Sequence, residues 1–263
     1  MTSTRPDYFV KSVEKAFAVL LAFTVEEPRL TMTQVAGKIQ VSRAAARRFL
    51  LTLTDLGYLR ADGSHFEMTP RSLDLGASFL SALTLPQIAE PHLKSLATQL
   101  NETTSLCILD GPDIVYVARV ASPRLLSVSI NVGTRFPAWI TSMGRVLIAG
   151  LPPAEREAYF ASVTLQPYTA RSIATMPELR AEIDRVARAG WAIVSEELED
   201  GLRGVAVPVI RGTRVVAAVN VSLQAYRASP EMVEATVIPL LQQAARLIGD
   251  DFGGNASASV TVG

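Results

Sequence analysis

The sequence predicts an α+β chain: an N-terminal winged helix-turn-helix, a linker helix, and a larger C-terminal domain built on an antiparallel sheet. Three observations carry this. Between Leu30 and Glu67 two short helical segments are separated by a tight turn and followed by a β-ribbon. Beyond residue 100 the order is a β-hairpin, helices, further strands and a closing helix, which is the pattern of an α+β domain. With 263 residues, 49% of them hydrophobic, the chain is long and apolar enough to bury a core in each of two domains.

Val10 to Thr24 reads as a helix with Val13, Phe17, Leu20 and Leu21 on one face, closed by Glu26-Glu27-Pro28 and packed behind the next two helices. Thr31-Met32-Thr33-Gln34 fits a capping box, in which the hydroxyl meets an orphan N–H and the glutamine reaches back. Val35, Ala36 and Ile39 then repeat at helical spacing until Gln40-Val41 breaks the pattern. Ser42 is a second N-cap for Arg43 to Leu56, and Gly57 suits the position after the helix. Within this segment Ala46, Phe49, Leu50 and Leu53 form the buried stripe and leave Arg43, Ala44, Arg47 and Leu51 outside. Asp62-Gly63 is a hairpin signal between Tyr58-Leu59-Arg60 and His65-Phe66-Glu67-Met68, and a hairpin directly after the second helix is a wing.

A basic helix by itself is as often a solvated face as a reader of DNA. The preceding helix and the wing tip that balance, because long donors on an exposed first turn suit the major groove. The candidate DNA-binding residues are Thr31, Thr33, Ser42, Arg43, Ala44, Ala45, Arg47 and Arg48 on the helices and Arg60, Ser64 and His65 on the wing. The chain has zero net charge, with residues 1–84 carrying ten Lys/Arg against eight Asp/Glu. Modest phosphate attraction per copy favours a dimer on double-stranded operator DNA.

Pro70 opens a linker helix that runs to about Leu85. After it come a helix from Pro86 to Leu100, strands Thr104–Leu109 and Ile114–Val120 joined at Asp110-Gly111-Pro112-Asp113, and a strand Leu125–Val132. Gly133 to Ile140 reads as a loop. Helices follow from Ser142, over Pro152–Val163 and over Pro177–Ala189, then strands Trp191–Ser195, Val205–Ile210 and Val215–Leu223, and a helix from Ser229-Pro230 to about Asp250. The tail, 253–263, is small, polar and aperiodic, and disorder is expected there. No long apolar run or basic-then-apolar leader occurs, so a cytoplasmic chain without a membrane span is expected.

Two histidines and the lone Cys107, a buried structural thiol by its apolar setting, leave no metal or nucleophile constellation, and neither a cofactor nor enzymatic activity is expected. The acidic run Glu196, Glu197, Glu199 and Asp200 reads as a solvated loop in preference to an acid/base pair.

Residues 8–252 resemble an IclR-type bacterial transcription regulator. The stretch Arg43 to Leu53 followed by Leu56-Gly57-Tyr58 matches that family's reading helix. Val115-Tyr116-Val117-Ala118-Arg119-Val120 and the run from Asn131-Val132-Gly133-Thr134-Arg135 through Thr141 to Leu147 are similar to the branch controlling protocatechuate and 4-hydroxybenzoate breakdown. The resemblance implies a GAF-like effector-binding fold over 86–252, after the winged domain 1–70 and the linker 71–85, and a homodimer or dimer of dimers. Carried over position by position, it places the effector among Leu125, Phe136, Ser142, Met143, Val194, Leu202, Gly204, Asn220 and Ser222. Val194 and Gly204 replace the polar residues usual in the family's signature, whereas Glu197 and Leu202 fit it, so a wider, drier pocket suited to an aromatic ring is expected.

Ser142, Met143 and Gly144 stand where a loop becomes a helix, so their N–H groups offer a carboxylate site. Asn220 and Ser222, two apart on a strand, share a face and suit ring hydroxyls. Arg135 is either a second anchor or an exposed loop arginine, and Leu125, Met143 and Leu202 are either ring contacts or ordinary core.

The expected function is therefore a ligand-responsive regulator of aromatic-acid catabolism whose effector is a small aromatic or related dicarboxylic acid. Two rivals stay open: an aromatic-acid enzyme with an appended DNA-binding head, and a DNA-binding structural protein with no ligand.

Overall fold

In the computed structural model, which describes residues 6–75, 84–122 and 130–258, the chain divides into two units, Met1–Ala82 and Leu83–Gly263. The first contains α1 (Lys11–Leu21), β1 (Arg29–Thr31), α2 (Met32–Lys38), α3 (Arg43–Asp55), β2 (Leu59–Asp62) and β3 (His65–Met68). Both helix starts follow the local chemistry. Thr31 donates its N–H to Gln34 Oε1 at 2.8 Å and accepts from Gln34 N–H at 3.4 Å, and Ser42 Oγ accepts from Ala45 N–H at 3.2 Å. Gly57, at φ +81°, lets the chain leave α3 in the left-handed region that a side chain disfavours.

Val19, Leu20, Leu30, Val35, Leu50, Leu53 and Leu59 meet in one core, each fully buried leucine contributing about 1.5–3 kcal/mol. β1 is too short to read from sequence. It pairs with β3, Leu30 opposite Phe66, and makes the wing three-stranded in the order β1-β3-β2.

The expected inner face of α1 is corrected. Val19 and Leu20 are buried, while Val13, Phe17 and Leu21 are 53%, 52% and 78% exposed. A helix apolar on more than one side does not reveal its inner face by spacing alone. Pro70–Leu73 is a 3₁₀ turn, and the expected linker helix falls mainly on 76–83, outside the described residues.

The second unit runs α4 (Thr84–Leu100), β4 (Thr103–Asp110), β5 (Asp113–Val120), β6 (Arg135–Pro137), a 3₁₀ turn, α5 (Ser142–Ala149), α6 (Pro153–Ser162), α7 (Met176–Ala189), β7 (Ala192–Ser195), β8 (Leu202–Arg211) and β9 (Arg214–Gln224). It closes with α8 (Pro230–Met232), a π-helical turn (Val233–Val237) and α9 (Ile238–Ala258). The sheet is antiparallel, in the order β6-β5-β4-β9-β8-β7. Alternation along β9 sends Val219 and Val221 to one face and Ala218, Asn220 and Ser222 to the other. The valine face packs on Leu93 and Leu96 of α4 and Leu241 and Ile248 of α9. The opposite face, with Cys107, Ala206 and Ala218, packs on Met143, Leu147, Phe160 and Ile183. This is the mixed antiparallel fold expected, with helices on both faces.

Two expectations change here, and a third falls mainly outside the described residues. The loop 133–140 contains β6, whose Phe136 stands opposite Ile114, and the 3₁₀ turn Ala138–Ile140. The strand expected over Leu125–Val132 lies largely outside the described residues, and its described end enters a turn at Gly133, φ +90°. The tail is helical as far as Ala258, because Phe252 packs against the core beneath the Arg211 guanidinium, 4.6 Å from its ring centroid, and carries α9 past Gly253; 259–263 lie outside the described residues.

Candidate functional sites

On the first unit, α3 turns Ala46, Leu50 and Leu53 inward and leaves Arg43, Ala44, Arg47 and Arg48 exposed, with Ala45 half-buried. Thr33 and Ser42 are exposed and Thr31 half-buried, and the hydroxyls of Thr31 and Ser42 are occupied as helix caps. No described carboxylate pairs with Arg43, Arg47 or Arg48, whereas Arg29 is held by Asp62 and Arg60 by Glu67 at 2.6 Å. The three helix arginines are thus uncommitted cations on one exposed surface. On the wing, exposed Arg60 shares its charge with Glu67, a weak surface pair that a phosphate can displace. Ser64 Oγ and His65 Nδ1 lie 3.3 Å apart at its tip.

The second unit holds a partly open cavity between the sheet and the start of α5, mostly apolar with a few polar groups, which is the character of small-molecule sites. It brings together seven sequence candidates: Ser142, Met143, Val194, Leu202, Gly204, Asn220 and Ser222. The register explains the grouping. Val194 stands opposite Gly204 and Gly204 opposite Ser222, so the three form a row across β7, β8 and β9. A side-chain carbon at Gly204 would lie 2.8 Å from Ser142 Oγ, so the serine hydroxyl occupies the room that the glycine leaves. The widening expected at Gly204 is to that extent taken up.

At the start of α5, Thr141 Oγ1 accepts the Gly144 N–H at 3.0 Å and Thr141 O accepts that of Arg145. Among the described residues no acceptor meets the N–H of Ser142 or Met143, so two amides and the positive end of the helix dipole remain for an anion.

Three candidates fall elsewhere, and a fourth is not among the described residues. Gly144 has its N–H committed and does not line the cavity; its lack of a side chain serves packing, since a Cβ would meet Ala138 O at 2.0 Å. Arg135 is not an anchor, because its guanidinium clamps Asp110 at 2.8 Å and Asp113 at 3.3 Å across the β4–β5 hairpin. Phe136 stands behind the wall, edge-on to Tyr116 at 6.1 Å. Leu125 lies outside the described residues.

Tyr116, Ile130, Ile140, Thr141 and Leu198 also line the cavity and were not anticipated. Burial pushes the Tyr116 phenol up, the neighbouring Cys107 adds to that, and the Arg119 charge opposes it, so the hydroxyl stays protonated as a donor.

The acidic run is corrected as well. Glu197 is buried and accepts from Arg145 Nη1 and Nη2, at 2.9 and 2.5 Å, while Arg145 Nε donates to Trp139 O at 2.9 Å. This pair ties the β7–β8 loop, which brings Leu198 to the cavity, to the body of α5. Among the described residues no cluster of metal-ligating side chains occurs, and no helix is long and apolar enough to cross a membrane.

Comparison with known proteins agrees with this fold. The model of the IclR helix-turn-helix domain matches residues 12–63, and that described as bacterial transcriptional regulator IclR C-terminal matches residues 77–250. The Pca regulon regulatory protein of Pseudomonas putida is 38% identical over 243 residues, covering 92% of this chain and 83% of that protein. The p-hydroxybenzoate hydroxylase transcriptional activator of Acinetobacter baylyi is 34% identical over 247 residues, covering 92% and 91%. A transcriptional regulator crystal structure from Rhodococcus sp. RHA1 superposes with a TM-score of 0.82 at 45% identity, covering 92% of this chain and 98% of that one.

Proposed function

The chain belongs to the IclR family of bacterial transcription regulators, and from that premise we propose that it is a cytoplasmic, homodimeric switch binding operator DNA through α3 and a small aromatic or related dicarboxylic acid in the cavity under α5. The observation that carries the input half is the pair of unclaimed amides of Ser142 and Met143, two residues that line a largely apolar cavity, an arrangement that stabilises a carboxylate beside a ring or carbon chain. The names of the Pseudomonas and Acinetobacter relatives support an acid of aromatic catabolism. The output half rests on Arg43, Arg47 and Arg48, which are exposed and have no carboxylate partner among the described residues. Pairing of two copies is supported by Val13, Phe17 and Leu21, which recur every four residues as an exposed apolar row on α1. The acid is bound and not turned over. By linkage, an acid that prefers one arrangement of the dimer shifts the population toward it and changes operator affinity by the same free energy.

The test is a thermal-shift panel of hydroxybenzoates and dicarboxylic acids on the full chain, with operator gel shifts in parallel. Ligand at about a hundred times Kd raises stability by about 2.7 kcal/mol. No shift with any acid refutes the proposal.

A further inference from the structure

Among the described residues three buried side-chain atoms have no hydrogen-bond partner: Ser105 Oγ, Arg119 Nη1 and Asn220 Oδ1. They are neighbours. Ser105 on β4 stands opposite Arg119 on β5 and, on its other side, opposite Asn220 on β9. Directly opposed residues of antiparallel strands share a face, and Asn220 lines the cavity, so the row runs from the cavity at Asn220 along that same face of the sheet, with Ser105 and Arg119 beyond the lining.

A bulge makes this possible. The register shift at Leu106/Cys107 pairs Cys107 with Tyr116 but Ser105 with Arg119, so Tyr116 and Arg119, three apart and on opposite faces of a regular strand, both turn toward the site. Ser105 and Asn220 are each more than nine-tenths buried. Arg135 and Arg145 hold carboxylates; Arg119 holds none among the described residues.

The chemical sense of the row is directional. Arg119 Nη1 and the Ser105 hydroxyl are donors, and a guanidinium matches a carboxylate. Asn220 Oδ1 is an acceptor and repels one, which puts an acidic group at the β4–β5 end of the row. Ser142, which opens α5, sits at the other end, its side chain over Gly204 of β8. β8 and β5 are three strand spacings apart, about 14 Å between backbones before the arginine reaches inward.

We propose that Arg119, with Ser105 beside it, is a specificity-determining residue that takes a second acidic group of the effector, so that the pocket prefers a dicarboxylic acid with a ring or a chain of several carbons over the matching monocarboxylic acid. This rests on the effector reading given above.

The experiment is calorimetric titration of the full chain with two matched pairs, benzoate against terephthalate and hexanoate against adipate. The wild type binds at least one diacid about tenfold or more tighter than its partner, as expected for a charge-assisted pair. In R119Q that diacid falls to the level of its monoacid, and R119K retains part of the preference. Should R119Q lose its circular dichroism signal, R119K and S105A carry the test, each weakening the diacid more than the monoacid. A wild type without diacid preference, or variants that weaken both members of a pair equally, overturns the role of Arg119 while leaving the effector reading intact. No binding of any acid to the wild type overturns both.

Discussion

Replacing Glu197 by glutamine removes one charge from a pair sealed inside the second unit. The Arg145 side chain is 2% exposed and that of Glu197 11%, so the guanidinium left behind has little access to water. Breaking such a pair from one side costs about 3–5 kcal/mol. Some of this is offset: Arg145 Nε keeps Trp139 O, Glu182 Oε1 lies 3.8 Å away, and the glutamine carbonyl still accepts one bond. The lower end, about 3 kcal/mol, is therefore expected.

Both tryptophans, Trp139 and Trp191, belong to the second unit, so their fluorescence in urea follows that unit without interference from the first. With a slope of about 2 kcal/mol per molar, the midpoint falls by about 1.5 M. Arg145→Met combined with Glu197→Leu removes both charges and is expected to be more stable than the single variant. A loss below about 1 kcal/mol in Glu197→Gln, the size of a surface pair, would mean that water reaches the site and would refute the argument from burial.

Further outcomes follow from other parts of the molecule. Arg47→Ala should weaken operator binding by on the order of 1–3 kcal/mol and flatten its salt dependence, with effector affinity retained; an unchanged gel-shift titration removes α3 from the interface. Gly204→Glu sends a carboxylate into the cavity past Ser142 Oγ, which is 2.8 Å from the new Cβ and able to rotate, so the acid-induced thermal shift should vanish while tryptophan fluorescence stays native. A normal shift would exclude Gly204 from the site. Burial pushes the Cys107 thiol well above its usual range, so Ellman's reagent should find no reactive thiol in the native chain and one after unfolding in urea. Reaction in the folded state would show that the sheet opens at β4.

What the sequence disclosed and what it hid divide along range. The caps at Thr31 and Ser42, the stripe Ala46, Leu50 and Leu53, and the turns at Gly57 and Gly111 depend on neighbours within a few residues, so local chemistry determines them. Much of the cavity was legible through family resemblance, and Asn220 with Ser222 through strand alternation. The misses were non-local. Glu197 reads as solvated until Arg145, 52 residues away, is placed against it, and Gly144 reads as a ligand donor until Ala138 is found beneath it. Arg119 is the most instructive. Alternation from Tyr116 sends it to the far face of β5, and only the bulge opposite Leu106/Cys107 restores it to the cavity side. That bulge has no signal in residue type, since Leu106, Cys107 and Val117 are ordinary strand residues. It nevertheless turns Arg119, whose Nη1 has no partner among the described residues, to the face of the sheet that bears the cavity, and so decides whether the proposed second acidic group has a cation to meet.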